Sequence, residues 1–177
     1  MKRQLLLLIF LLASKFIFSQ SADELIEMAD AKFDQKDYKY ALVLIEKAIA
    51  LNDTNQKWYY LKKSEIEFKL YGPMVSIQTL KDVLKTNKNF AEAYNRAGTF
   101  YSSAGYADSA IMMYNLALKY TSNGDSLKYY YLSNRGTAKA AIRDFAGAAK
   151  DYEKVLAFNP TDIATLNNIS EIYDEME

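Results

Sequence analysis

The chain has 177 residues, half of them hydrophobic, with 22 lysines and arginines balancing 22 aspartates and glutamates. That length and apolar content suit one folded core, and no excess of positive charge points to nucleic acid or an anionic membrane surface. Cysteine and histidine are both absent, which excludes disulfides, thiol catalysis and a lipid-bearing cysteine and removes the commonest metal ligand and the usual general base near neutral pH.

Residues 1–21 read as an export signal. Lys2 and Arg3 form a charged start, Leu5 to Ala13 is an uninterrupted apolar run, and Phe16 to Ala22 lead into polar sequence, with cleavage expected between Ser19 and Ala22. The run is shorter than the roughly 20 apolar residues of a transmembrane helix, and Lys15 interrupts its extension to Phe18. The alternative is an uncleaved anchor in the inner membrane, with Lys15 snorkelling. Either reading places the rest outside the cytoplasm, in the periplasm or the extracellular space. Without Lys2, Arg3 and Lys15 the remainder carries 19 basic against 22 acidic residues.

From Ala22 onward, apolar and small residues recur at helical spacing on either side of short breaks. In residues 22–55, Leu25 and Ala29 mark a first helix and Ala41, Ile45 and Ala48 a second, with Asp37 between them as an N-cap. Residues 57–90 carry Tyr60, Ser64 and Phe68, then Ser76, Leu80 and Val83, in the same places. Gly72 and Pro73 make the turn, because proline's missing N–H would be unpaired in a first helical turn anyway. In residues 91–124, Tyr94, Ala97, Gly98 and Tyr101 precede a break near Gly105, and Ala110, Tyr114, Ala117 and Leu118 follow it.

Residues 125–162 supply Leu132, Gly136, Asp144, Phe145, Ala148, Tyr152 and Val155, closing on Asn159 and Pro160. Ala41, Ser76, Ala110 and Ala148 hold one repeat position at nearly even intervals, of which the last is the longest. Asp125 to Lys128 are the extra residues, and are expected to lengthen the first helix of this unit backwards from a cap at Asp125 or Ser126, after Asn123 and Gly124 end the preceding helix. Residues 163–177 continue with Leu166, Ser170 and Tyr173 and then stop, which reads as a capping helix with a polar outer side. Asp174, Glu175 and Glu177 read as a solvated, frayed end.

These units resemble the tetratricopeptide repeat, whose signature is a large residue, a small one, a tyrosine, then alanine, aromatic and alanine at these intervals. Lys32 and Glu67 replace the usual tyrosine, and Asp53, Lys88 and Ser122 replace the closing proline. The resemblance implies an all-α fold: a right-handed α-solenoid of four helix pairs plus a C-terminal capping helix, with the first helix of each pair lining a concave face.

The inward positions implied by the resemblance are Asp23, Ile26, Glu27 and Asp30, then Trp58, Leu61, Lys62 and Glu65, then Glu92, Asn95, Arg96 and Thr99. Tyr130, Ser133, Asn134 and Thr137 follow, and Ala164, Asn167, Asn168 and Glu171 close the row. Two features of this row suit peptide binding. Asn95, Asn134, Asn167 and Asn168 form a run of amides, each with donor and acceptor, of the kind that some family members use to hold an extended backbone. Lys62 and Arg96 beside Trp58 and Tyr130 form a basic and aromatic patch suited to a carboxylate with an apolar neighbour. The opposing readings are tolerated surface asparagines, a core Trp58 and a solvated charged face.

The two-carboxylate clamp of chaperone-binding family members needs lysine, asparagine, asparagine, lysine and arginine at fixed inward positions. Ile26, Asp30, Lys62, Glu92 and Arg96 stand there; only Arg96 matches, so that partner class is not expected. An enzyme is not expected either, since there is no glycine-rich phosphate loop, metal-ligand spacing or nucleophile with a partner. Asp23, Glu27 and Asp30 share a helix face and read as a solvated acidic face rather than a cation site.

The function expected is an exported protein-interaction scaffold that binds an extended peptide or partner helix in its groove, without cofactor or metal and without nucleic acid. No membrane span is expected beyond the signal segment. The alternatives are self-association into a cell-envelope assembly, with a homo-oligomer left open, and, remotely, a hydrolase.

Overall fold

A computed structural model of the protein describes residues 21–51, 56–122 and 124–176. Residues 1–20 of the expected export signal lie outside the described residues, as do Asp53, Asn123 and Glu177. The chain divides into two compact units, Met1–Tyr59 and Tyr60–Glu177. Among the described residues the regular structure is entirely helical, and the fold class is the all-α solenoid of the tetratricopeptide type.

The first unit is built on α1 (Ala22–Asp34) and α2 (Tyr38–Ala50). Ser21 begins α1 with a reciprocal capping box: its hydroxyl accepts from the Glu24 amide at 3.1 Å and the Glu24 carboxylate accepts from the Ser21 amide at 3.2 Å. The Asp37 carboxylate caps α2 by accepting from the Tyr40 amide, as its position predicts. Ala22, Leu25 and Ala29 are buried on α1 and Ala41, Leu44, Ile45 and Ala48 on α2, so each helix gives one narrow stripe to the pair.

The helix α3 (Gln56–Tyr71) carries the chain into the second unit, which continues through α4 (Pro73–Thr86), α5 (Ala91–Ser103), α6 (Ala107–Tyr120), α7 (Leu127–Ala141), α8 (Phe145–Phe158) and α9 (Ile163–Asp174). From α4 to α9 each helix packs on the next, and the first helices of successive pairs also touch, α5 on α7 and α7 on α9. The extra residues before the fourth pair do extend α7, which has 15 residues where α5 has 13. Ser126 takes the N-cap position, but the capping bond comes from the Asp125 carboxylate, which accepts from the Leu127 amide at 2.9 Å.

Shape complementarity sets the helix pairing. Ala41, Ser76, Ala110 and Ala148 are all fully buried. In the third and fourth pairs a glycine on the first helix faces a tyrosine on the second so closely that a Cβ on Gly98 would lie 2.6 Å from the Tyr114 ring, and one on Gly136 2.7 Å from the Tyr152 ring. In the first and second pairs the same two positions hold Ala29 with Ile45 and Ser64 with Leu80, all fully buried. A larger notch residue thus accompanies a smaller opposing one, as close packing at constant volume requires.

The turn inside each pair repeats too. Lys36, Gly105 and Arg143 occupy one position and have left-handed backbone, with φ of 62°, 80° and 62°, while in the second pair the positive φ, 83°, falls one position later, on Gly72 at the N-cap of α4. In three of these turns the following amide reaches back five residues, Asp37 to Lys32, Tyr106 to Tyr101 and Asp144 to Lys139, each at 2.9 Å. This is the helix-ending pattern that glycine satisfies without strain and that costs a non-glycine residue about 1–2 kcal/mol. Pro73 has no amide to give, and Gly72 closes its turn with a bond to the Phe68 carbonyl instead.

The last helix differs from expectation. Thr165, Ile169 and Ile172 of α9 are buried, but its outer side is not polar: Ile163, Leu166 and Tyr173 are exposed there.

Candidate functional site

In the second unit the inward row is organised around a bond between two amides. The Asn134 Nδ2 donates to the Asn95 Oδ1 at 3.0 Å, tying α7 to α5. Asn95 is buried and Asn134 half-buried, so the bond spends Asn95's carbonyl and fixes which way the Asn134 amide points. One turn before Asn134, Tyr130 stands 55% exposed.

The tyrosines that fill the glycine notches reach this row. The Tyr114 hydroxyl lies 3.5 Å from the Thr99 Oγ1, and the Tyr152 hydroxyl 3.1 Å from that of Thr137. Asn168 also bonds the Tyr152 hydroxyl. Burial pushes both phenols above their ordinary pKa, against the partial opposition of these hydrogen bonds, so they remain neutral. The helix pairing and the polar lining of the row therefore share the same side chains.

The cationic residues are less available than the sequence implies. The Glu65 carboxylate sits 3.6 Å from Arg96 and 4.0 Å from Lys62, so one acid serves both cations. Each of these surface contacts is worth at most about 1 kcal/mol. Of the amides, Asn95 and Asn134 come together, Asn168 turns to Tyr152, and Asn167 is exposed. Trp58, in the first unit, is exposed rather than core, with the Lys57 ammonium 5.3 Å from its ring centroid.

Sequence reasoning missed a buried ionic network in the fourth pair. Asp151 on α8 is 1% exposed and accepts from Arg135 at 2.8 and 2.6 Å, while Lys139 approaches to 2.8 Å. Arg135 also donates to the Asn115 side chain of α6 at 2.6 Å, and Lys139 to the Gly147 carbonyl at 3.2 Å. Burial raises the Asp151 pKa, but the hydrogen bonds and charges of Arg135 and Lys139 outweigh it and hold the carboxyl below its ordinary value. The available signal was Arg135 and Lys139 one turn apart on a helix stripe that is otherwise apolar. Among the described residues no group of three or more acidic side chains is placed to hold a metal ion, and no helix is long and apolar enough to cross a membrane.

Comparison with known proteins agrees on the fold. No protein-family model matches the chain. Among curated proteins it is 28% identical over 110 residues to the heat shock protein STI1 of Saccharomyces cerevisiae, covering 62% of this chain and 19% of that protein. It is 29% identical over 127 residues to the RNA polymerase II-associated protein 3 of Mus musculus, covering 72% of this chain and 17% of that one. The chain thus spans less than a fifth of the length of these relatives.

Among solved structures, MamA superposes with a TM-score of 0.71 at 18% identity, over 89% of this chain and 83% of that one. The first tetratricopeptide domain of Spaghetti, bound to the HSP90 peptide SRMEEVD, gives 0.63 at 20% identity, over 70% and 95%. At these identities the likeness shows the fold.

Proposed function

We propose that this protein is an exported, non-catalytic interaction scaffold whose second unit holds an extended peptide or partner helix along the inward row of α3, α5, α7 and α9. The observation that carries this reading is the Asn134–Asn95 bond: it holds a half-exposed amide in fixed orientation beside exposed Tyr130, with threonine hydroxyls to either side. An oriented amide with unused donor and acceptor capacity pairs with peptide backbone, and an exposed tyrosine one turn away gives an apolar contact at low entropic cost. Support for peptide capture comes from the Spaghetti domain, which has this fold and is bound to a peptide. That peptide is acidic, whereas Glu65 already occupies Lys62 and Arg96 here, so this row favours a peptide of low negative charge.

The test is crosslinking in intact cells, followed by mass spectrometry of what copurifies with the native chain and with an Arg96→Ala, Tyr130→Ala double variant of matched melting temperature. A partner retained by the native chain and lost from the variant supports the row. Identical partners in both samples would refute it. Fractionation of the same cells tests export: recovery of the chain in the cytoplasm with residues 1–21 intact counts against it.

A further inference from the structure

One turn before the Asn134–Asn95 bond, on the same face of the row, lies a carboxylate without a counter-ion among the described residues. The bond sets the register of α7 against α5, so Tyr130, four residues before Asn134, stands opposite the first turn of α5, where Glu92 lies three residues before Asn95. Glu92 is half-buried, and no lysine or arginine of the described residues is within ion-pair reach of it. Arg96, four residues on and the natural partner along a helix, turns instead to Glu65 of α3 at 3.6 Å. The Glu92 charge is felt on α7: burial first, and then this carboxylate, raise the Tyr131 phenol above its ordinary pKa. A place in the first turn of α5 favours the ionised form of Glu92.

An aromatic surface and an unspent backbone-type donor adjoin this carboxylate. Tyr130 is 55% exposed, with its ring centroid 6.0 Å from that of buried Tyr131. In the same register α7 starts about one turn ahead of α5, and exposed Leu127 extends the apolar surface beyond Tyr130. Asn95 is 7% exposed; its carbonyl is bonded to Asn134, and its own Nδ2 donates to no acceptor among the described residues. That donor suits a peptide carbonyl. Asp125, whose charge also reaches Tyr131, is committed to the Leu127 amide as the cap of α7 and takes no part.

Resting on the peptide-binding reading of this row, we infer that Glu92 and Tyr130 together take an arginine side chain of the bound peptide, its guanidinium lying on the Tyr130 ring and against the Glu92 carboxylate, while the Asn95 amide donates to the peptide backbone. Arginine suits the pair better than lysine, because its planar, weakly hydrated group stacks on an aromatic face while still donating to a carboxylate. An apolar side chain in that place would cover the Glu92 charge without compensation, and an acidic one would be repelled by it.

The test titrates the full chain, labelled with ¹⁵N, to millimolar concentration with the blocked peptide Ser-Ala-Leu-Arg-Leu-Ala-Ser and with versions carrying lysine, alanine or glutamate in place of the arginine. Saturable shifts at Glu92, Tyr130 and Asn134 are expected, with the arginine peptide about five- to tenfold tighter than the alanine peptide and the glutamate peptide weakest. Glu92→Gln should remove most of that preference without weakening the alanine peptide, and Glu92→Lys should reverse the order of the arginine and glutamate peptides. No hydrogen bond or ion pair among the described residues uses the Glu92 side chain, so Glu92→Gln leaves the fold intact, as a far-ultraviolet spectrum checks. Binding along the row with equal affinity for the four peptides, or a preference for arginine that survives Glu92→Gln, overturns the inference and leaves the peptide-binding reading standing. No shift along the row with any of the peptides removes that reading, and the inference with it.

Discussion

Three positions compared across successive helix pairs show what this repeat demands and what it leaves free. In the second pair they are Lys63, Glu67 and Thr79, in the third Ala97, Tyr101 and Met113, and in the fourth Arg135, Lys139 and Asp151. The third pair fills the space with apolar packing around Ala97. In the second, the Glu67 carboxylate accepts from Thr79 at 2.6 Å and lies 3.8 Å from Lys63. The fourth closes an ion network on Asp151. Polar, apolar and ionic solutions occupy one geometry because the notch residue and the fully buried alanine or serine position set the spacing between helices, and the neighbouring chemistry has only to satisfy itself.

That comparison breaks most forcefully at Asp151. Asp151→Ala leaves Arg135 and Lys139 without their shared acid and is expected to destabilise the second unit by about 3–5 kcal/mol in urea melts. Carrying the third pair's solution across, as Arg135→Ala, Lys139→Tyr and Asp151→Met together, is expected to be neutral or stabilising. A loss as large as that of Asp151→Ala would show that the network does more than fill its space.

The same pair of proteins separates at low pH. The Asp151 carboxyl titrates below its unfolded value of about 3.9, so its contribution is present above that pH and is lost as the pH falls through the lower folded value. Below about pH 4 the triple variant should therefore gain on the native chain, as acid melts followed by circular dichroism would report.

The notches are the next test. Gly98→Ala or Gly136→Ala drives a methyl into a buried tyrosine ring and is expected to cost about 1–3 kcal/mol, partly restored by Tyr114→Leu or Tyr152→Leu respectively. Equal costs with and without the second substitution would show that the ring is not what opposes the methyl.

The turns should give the smallest effects. Gly105→Ala forces alanine to φ of 80° and is expected to cost about 1 kcal/mol, while Lys36→Gly relieves a left-handed lysine and is expected to gain up to about 1 kcal/mol. Chemical melts of each variant decide the sign, and a loss on Lys36→Gly would refute the strain assigned to that turn.

Much of this was legible along the chain because it depends on local spacing. The recurring alanine, serine and glycine positions, the Asp37 cap, the Gly72–Pro73 turn and the lengthened α7 each rest on neighbours within one helix or one turn, so periodicity and capping chemistry express them directly. Glu67 also counted as a departure from the tyrosine at that position, and it is resolved by Thr79 on the next helix. Lys36 and Arg143 gave no sign of left-handed backbone, because glycine is the usual marker and neither turn has it.

What the amino-acid sequence determined by itself was the all-helical repeat, since a helix stripe and its small residues are properties of a few consecutive turns. Only the tertiary structure decided how the side chains on those stripes share partners: that Asn95 spends its carbonyl on Asn134, that one Glu65 serves both Lys62 and Arg96, that Asp151 gathers Arg135 and Lys139, and that the outer side of α9 carries exposed Ile163, Leu166 and Tyr173. Hydrogen bonds and ion pairs fall off within a few ångströms, and which polar groups come that close is settled by helices packing against one another across long stretches of chain.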